Sequence, residues 1–113
     1  MNKAFILSSC STCQRIIKEI GWSGEIQNIK EKNIDAKTLD KIAKDHGGYE
    51  AVFSKRAMKY RSLGLNEMDL KEKGYKAWIL KEYTFLKRPV FIIGDQSFAG
   101  NSKKVVASIK EAL

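Results

Sequence analysis

The chain has 113 residues, 43% of them apolar and 30% charged, with a formal charge of +8. These are globular values: they exclude a disordered tail or a fibre and leave room for one domain over residues 1–113 with its own hydrophobic core. No apolar run approaches the length that crosses a bilayer, and the short apolar start lacks the cleavage site of a secretory leader, so a cytoplasmic protein without membrane contact is expected.

In chain order, Lys3-Ala4-Phe5-Ile6-Leu7 shows little alternation and predicts a first strand buried on both faces. Residues 11–20 predict a helix with Ile16, Ile17 and Ile20 inward, ended by Gly21. Residues 25–29 predict a second strand, parallel to the first through a right-handed crossover. Asp35 is the expected N-cap of a second helix, whose apolar stripe is Leu39, Ile42 and Ala43 and whose stop is His46-Gly47-Gly48-Tyr49. Short helical pieces are expected at 49–53, 56–63, 66–68 and 75–83, punctuated by Gly64 and Gly74. Pro89 then introduces a strand at 90–93, Gly94-Asp95 makes a hairpin turn, and 96–99 returns. Ser102 caps a last helix over 103–112, with Val105, Val106, Ile109 and Leu113 as its inner face. The order of strand, helix, strand, several helices, hairpin and helix resembles the thioredoxin fold. It predicts an α/β protein with a four-stranded mixed sheet flanked by helices and a helical insertion between the second and third strands.

Both cysteines of the chain fall at the first strand-to-helix junction, in Ser8-Ser9-Cys10-Ser11-Thr12-Cys13-Gln14-Arg15. A Cys-x-x-Cys at such a junction reads as a redox motif. The first turn of a helix has backbone N–H groups without intrahelical partners, and the peptide dipoles add partial positive charge there. A thiolate at that point is stabilised, so Cys10 is the expected nucleophile. Cys13 lies one turn on, on the same helix face, and is placed to attack a mixed disulfide on Cys10. Ser11 and Thr12 offer capping hydroxyls and Arg15 adds positive charge. The alternative is a pair of buried thiols acting as small hydrophobes.

Two cysteines and one histidine do not complete a four-ligand zinc site, so no metal is expected, and His46 reads as a solvated helix-end residue. The charge of +8 is compatible with nucleic acid, an acidic protein or an anionic substrate. Lysines are spread evenly, which is the pattern of a solvated surface. The four arginines, Arg15, Arg56, Arg61 and Arg88, are few enough to suggest specific contacts with carboxylates or oxyanions. No basic stripe interleaved with aromatics is present, and Tyr75, Trp78 and Tyr83 follow core spacing, so direct nucleic-acid binding is not expected.

Taken together, Cys10-x-x-Cys13, the helical insertion, Arg56 with Tyr60-Arg61-x-Leu63-Gly64-Leu65, and Arg88-Pro89-Val90 resemble the arsenate reductase family of the thioredoxin fold. That family groups arsenate reductases (ArsC), Spx-type regulators and YffB-like relatives, and the likeness spans essentially the whole chain. The resemblance implies that Cys10 is the nucleophile, that the Arg88–Pro89 bond is cis, and that Arg88 sits beside the cysteine pair. It places Arg56 where reductases carry an oxyanion-binding arginine, although the usual Asn-Thr-Arg-Gly reads Ser54-Lys55-Arg56-Ala57 here. The third arginine of the reductase triad has no counterpart beyond Pro89. The expected catalytic residues are thus Cys10, Cys13 and Arg88, and the expected substrate-binding residues are Ser11, Thr12, Arg15, Arg56 and Pro89.

Three functions remain open at this point. One is a thiol-disulfide oxidoreductase that reduces a small oxyanion or a disulfide through Cys10 and Cys13. It would need no bound cofactor and would draw electrons from thioredoxin, or from glutathione or glutaredoxin. The second is an Spx-like regulator that binds RNA polymerase and senses oxidation through the same pair. The third is an interaction domain that keeps the fold without turnover. All three need the same fold, so fold cannot choose among them.

Overall fold

A computed structural model describes residues 2–113. Two compact units are present: one made of residues 2–32 and 88–113, the other of Asn33–Lys87.

The first unit carries the whole sheet. Strands β1 (Asn2–Ile6), β2 (Glu25–Asn28), β3 (Val90–Ile93) and β4 (Gln96–Ala99) lie in the order β2-β1-β3-β4. β2 runs parallel to β1, with Ala4 opposite Ile26. β3 is antiparallel to β1, with Phe5 opposite Val90, and β4 returns antiparallel to β3 with Phe98 opposite Phe91. The β3–β4 turn is tight because Gly94 adopts φ 60, a left-handed conformation that costs glycine little. Helices α1 (Ser11–Ile20) and α5 (Lys103–Ala112) complete this unit.

The apolar residues of α1 and α5 recur at helical spacing and meet one face of the sheet. Cys13 and Ile16 from α1, Val106 and Ile109 from α5, and Ala4, Ile6 and Phe91 from the strands form one buried cluster. Trp22 closes on the edge of Phe91 at 4.9 Å. A Lys110–Glu19 ion pair at 3.0 Å ties the two helices at the surface. The alternating strand residues Phe5, Val90 and Ile92 point to the opposite face and are buried too, as a strand without polar alternation requires. Leu113 departs from the expected inner face of α5. It lies one residue past the helix end and is 54% exposed.

The second unit is helical. Its elements are α2 (Ala36–His46), α3 (Met58–Ser62) and α4 (Glu72–Lys81), with 3-10 turns at Glu50–Val52, Leu65–Glu67 and Tyr83–Phe85. Asp35 caps α2 by accepting from the Thr38 N–H, and Gly47 ends it at φ 90. Asn33 donates to the Ile79 and Leu80 carbonyls, two of the acceptors left over at the end of α4. Phe53 is the centre of the core, with Tyr75 at 4.9 Å, Phe85 at 5.0 Å and Tyr60 at 5.7 Å between ring centres. Phe53 and Leu86 also form an isolated antiparallel bridge, which no local pattern announced.

Candidate functional site

The loop from β1 to α1 places both sulfurs. After Ile6 the chain turns at Ser8-Ser9, and the Cys10 N–H donates to the Leu7 carbonyl at 2.9 Å. Cys10 has extended backbone angles (φ -86, ψ 113) and is itself the N-cap residue of α1. This corrects the expectation that Ser11 or Thr12 supplies the cap: no side-chain hydrogen bond of capping geometry closes the helix start. The Cys10 sulfur instead lies where the first N–H groups of the helix favour its charge.

The two thiols are reduced and differ in environment. Cys10 is partly exposed, and Cys13 is fully buried in the apolar cluster under the sheet. Partial burial acts to raise the Cys10 pKa, but four groups together outweigh it. These are the Cys13 N–H, the Cys13 thiol, the Thr12 N–H and the Arg88 guanidinium, each stabilising the thiolate, and the net shift is downward from an ordinary 9.0. For Cys13, burial pushes the pKa up to about 11. The Leu7 N–H and the Arg88 charge work against that rise, while the hydrogen bond to Cys10 and the Cys10 charge add to it. At the same helix start the thiolate is thus favoured at Cys10 and the protonated thiol at Cys13.

Arg88 and Pro89 come from the other end of the sequence and arrive through the sheet. The Arg88–Pro89 bond is cis. The Pro89 carbonyl accepts from the Gly100 N–H at 3.0 Å, which extends the β3–β4 ladder by one rung. Arg88 is half-buried and reaches the Cys10 sulfur.

The remaining expected residues divide. Ser11 is exposed at the first helical position, and Thr12 is partly buried with its N–H turned to Cys10. Arg15 is exposed and pairs with Glu19 at 3.4 Å along the helix. Arg56 is exposed in the turn before α3 and belongs to the second unit. Two residues outside the expected set hold the loop: Asn28 accepts from the Ser8 N–H, and Gln14 donates to the Ser8 carbonyl. Among the described residues, no group of three or more His, Cys, Asp or Glu side chains could hold a metal ion, and no helix is long and apolar enough to cross a membrane.

A four-stranded mixed sheet with a Cys-x-x-Cys at the first helix start and a cis-proline ahead of the third strand defines a thioredoxin-like protein. The family model of the ArsC family matches residues 5–109, and the chain belongs to that family. Three solved structures are similar over nearly their whole length. A YFFB protein superposes with a TM-score of 0.81 at 20% identity, covering 96% of this chain and 97% of that one. A putative arsenate reductase from Yersinia pestis gives 0.80 at 11% identity, with 98% and 99% covered. An arsenate reductase from Vibrio cholerae gives 0.79 at 14% identity, with 99% and 97% covered. At such identities the likeness speaks for the fold. No curated protein matches the chain.

Proposed function

We propose that this ArsC-family protein is a thiol-disulfide oxidoreductase, acting on a small oxyanion or a disulfide through Cys10 and Cys13. The observation that carries this reading is the placement of the two thiols at one helix start: Cys10 is the partly exposed N-cap of α1 beside the Arg88 guanidinium, and Cys13 is buried three residues on.

With a disulfide substrate, the Cys10 thiolate attacks one substrate sulfur. A Cys10–substrate bond forms, and the other half leaves as a thiolate. Cys13 then gives up its proton and attacks the Cys10 sulfur, releasing the second half. The protein is left with a Cys10–Cys13 disulfide, and two electrons have passed to the substrate. A dithiol donor such as thioredoxin, or two molecules of glutathione directly or through glutaredoxin, restores the pair. With arsenate, the thiolate forms a sulfur–arsenic bond and displaces one oxygen, which leaves as water with protons taken from arsenate itself and from solvent. Attack by Cys13 on the Cys10 sulfur then breaks the sulfur–arsenic bond and leaves trivalent arsenic. In both cases Arg88 holds negative charge near Cys10, and Ser11, Thr12, Arg15 and Pro89 are the proposed substrate contacts. Arg56 is the remaining candidate for oxyanion contact, and Lys103 or Lys104 could replace the missing third arginine only as a point charge.

A coupled assay tests this reading, with arsenate and a small disulfide offered separately and thioredoxin or glutathione as donor. Turnover that disappears in Cys10→Ser supports it, and turnover unchanged in that variant contradicts it. A Cys10–Cys13 disulfide that forms without turnover of either substrate would favour the Spx-like regulator instead. A pull-down of RNA polymerase that depends on oxidation is the test of that alternative.

A further inference from the structure

Ser8 is gripped through both of the peptide groups that flank it. Its N–H donates to Asn28 Oδ1 at 3.3 Å, and its carbonyl accepts from Gln14 Nε2 at 3.1 Å. Asn28 is the last residue of β2, and its Oδ1 also accepts from the Lys30 N–H at 3.3 Å. Gln14 lies in the first turn of α1, where its own N–H already bonds to the Cys10 carbonyl at 3.1 Å. One side chain therefore anchors the loop to the sheet, and the other anchors it to the helix.

We propose that Gln14 and Asn28 are positioning residues for Cys10: by clamping the two peptide groups of Ser8 they fix where the Cys10 sulfur stands against the start of α1. The link from clamp to sulfur runs through Leu7. Its carbonyl takes the Cys10 N–H at 2.9 Å, and its N–H faces the Cys13 sulfur. The Leu7 carbonyl shares one peptide plane with the Ser8 N–H that Asn28 holds, and the Ser8 carbonyl that Gln14 holds is in the next plane, so rotation of either would turn the Leu7 carbonyl and carry Cys10 with it. Both clamping bonds are exposed, so water can replace each of them at small energetic cost. Water cannot reproduce the geometry, because it does not hold the peptide at one angle. The clamp therefore acts on sulfur position far more than on fold stability. The inference rests on the reading of Cys10 as the attacking thiolate and adds what keeps it in place.

The test is the pH profile of Cys10 alkylation by iodoacetamide in wild type, Gln14→Met and Asn28→Ala, read by peptide mass. The titratable and charged groups that act on Cys10 are Cys13 within α1 and Arg88 ahead of β3, and all three proteins keep both. Each variant is expected to raise the apparent Cys10 pKa, read as about threefold slower alkylation at pH 7. The double variant should change little further, since the two bonds hold successive peptide groups of one residue and release of either lets the loop turn. Urea midpoints should match wild type for Gln14→Met, whose side chain is exposed. A wild-type profile reproduced by both variants overturns the clamp while leaving the acidic thiolate intact. A wild-type Cys10 that titrates like a free thiol overturns both readings.

Discussion

Arg88 is the cation that the sheet delivers to Cys10, and its loss has a directional consequence. Arg88→Ala removes a donor to the thiolate and a positive charge near both sulfurs. The Cys10 pKa is expected to rise, read as slower alkylation at neutral pH. Lys87→Ala should move it far less, because Lys87 is exposed and precedes the cis bond. Iodoacetamide rates against pH decide this, and equal small effects would assign Arg88 a structural role. Cys13 makes a second prediction, at alkaline pH. Its folded pKa is raised from 9.0 to about 11, so the folded state keeps a proton that the unfolded chain has lost. That contribution is complete below pH 9.0 and disappears as pH climbs through about 11. Reduced wild type should therefore lose stability across that window more steeply than Cys13→Ala. Urea midpoints at closely spaced pH values read the difference, and parallel curves for the two proteins would contradict the raised pKa.

At the scale of elements, the caps and the aromatic centre of the helical unit carry measurable weight. Asp35→Ala removes the acceptor for the Thr38 N–H at the start of α2. The expected loss is about 1 kcal/mol, seen as a lower urea midpoint with an unchanged slope. Phe53→Ala empties the ring position that Tyr60, Tyr75 and Phe85 surround. A loss of roughly 3–5 kcal/mol is expected. A smaller loss for Phe53 than for Asp35 would mean that Phe53 is not the packing centre of that unit.

At the scale of the molecule, most of the architecture was legible because it rests on local signals. Gly21 and Gly47 end their helices, Ser102 and Asp35 begin theirs, and Gly94-Asp95 turns the hairpin. The site was legible in its cysteines because a helix start acts on whatever sulfur stands there. Other features depended on partners distant in sequence. Asn28 meets Ser8 across 20 positions, and Phe53 pairs with Leu86 without any alternating pattern to announce a strand. Gly74 read as a break, yet it sits inside α4, where its N–H bonds to the Lys71 carbonyl at 2.8 Å. The charge of +8 has its own consequence at this scale. Glutathione disulfide, which carries carboxylates, should react more slowly as salt rises, while a neutral disulfide should respond little. Equal salt responses would remove long-range attraction from the account.

The division of labour between the two sulfurs can be read directly by intact mass after brief exposure to glutathione disulfide. Cys13→Ser is expected to hold one glutathione on Cys10, whereas wild type passes on to a closed Cys10–Cys13 pair and Cys10→Ser stays unmodified. Glutathione captured as readily on Cys13 in Cys10→Ser as on Cys10 in Cys13→Ser would contradict the assignment of Cys10 as the sulfur that attacks.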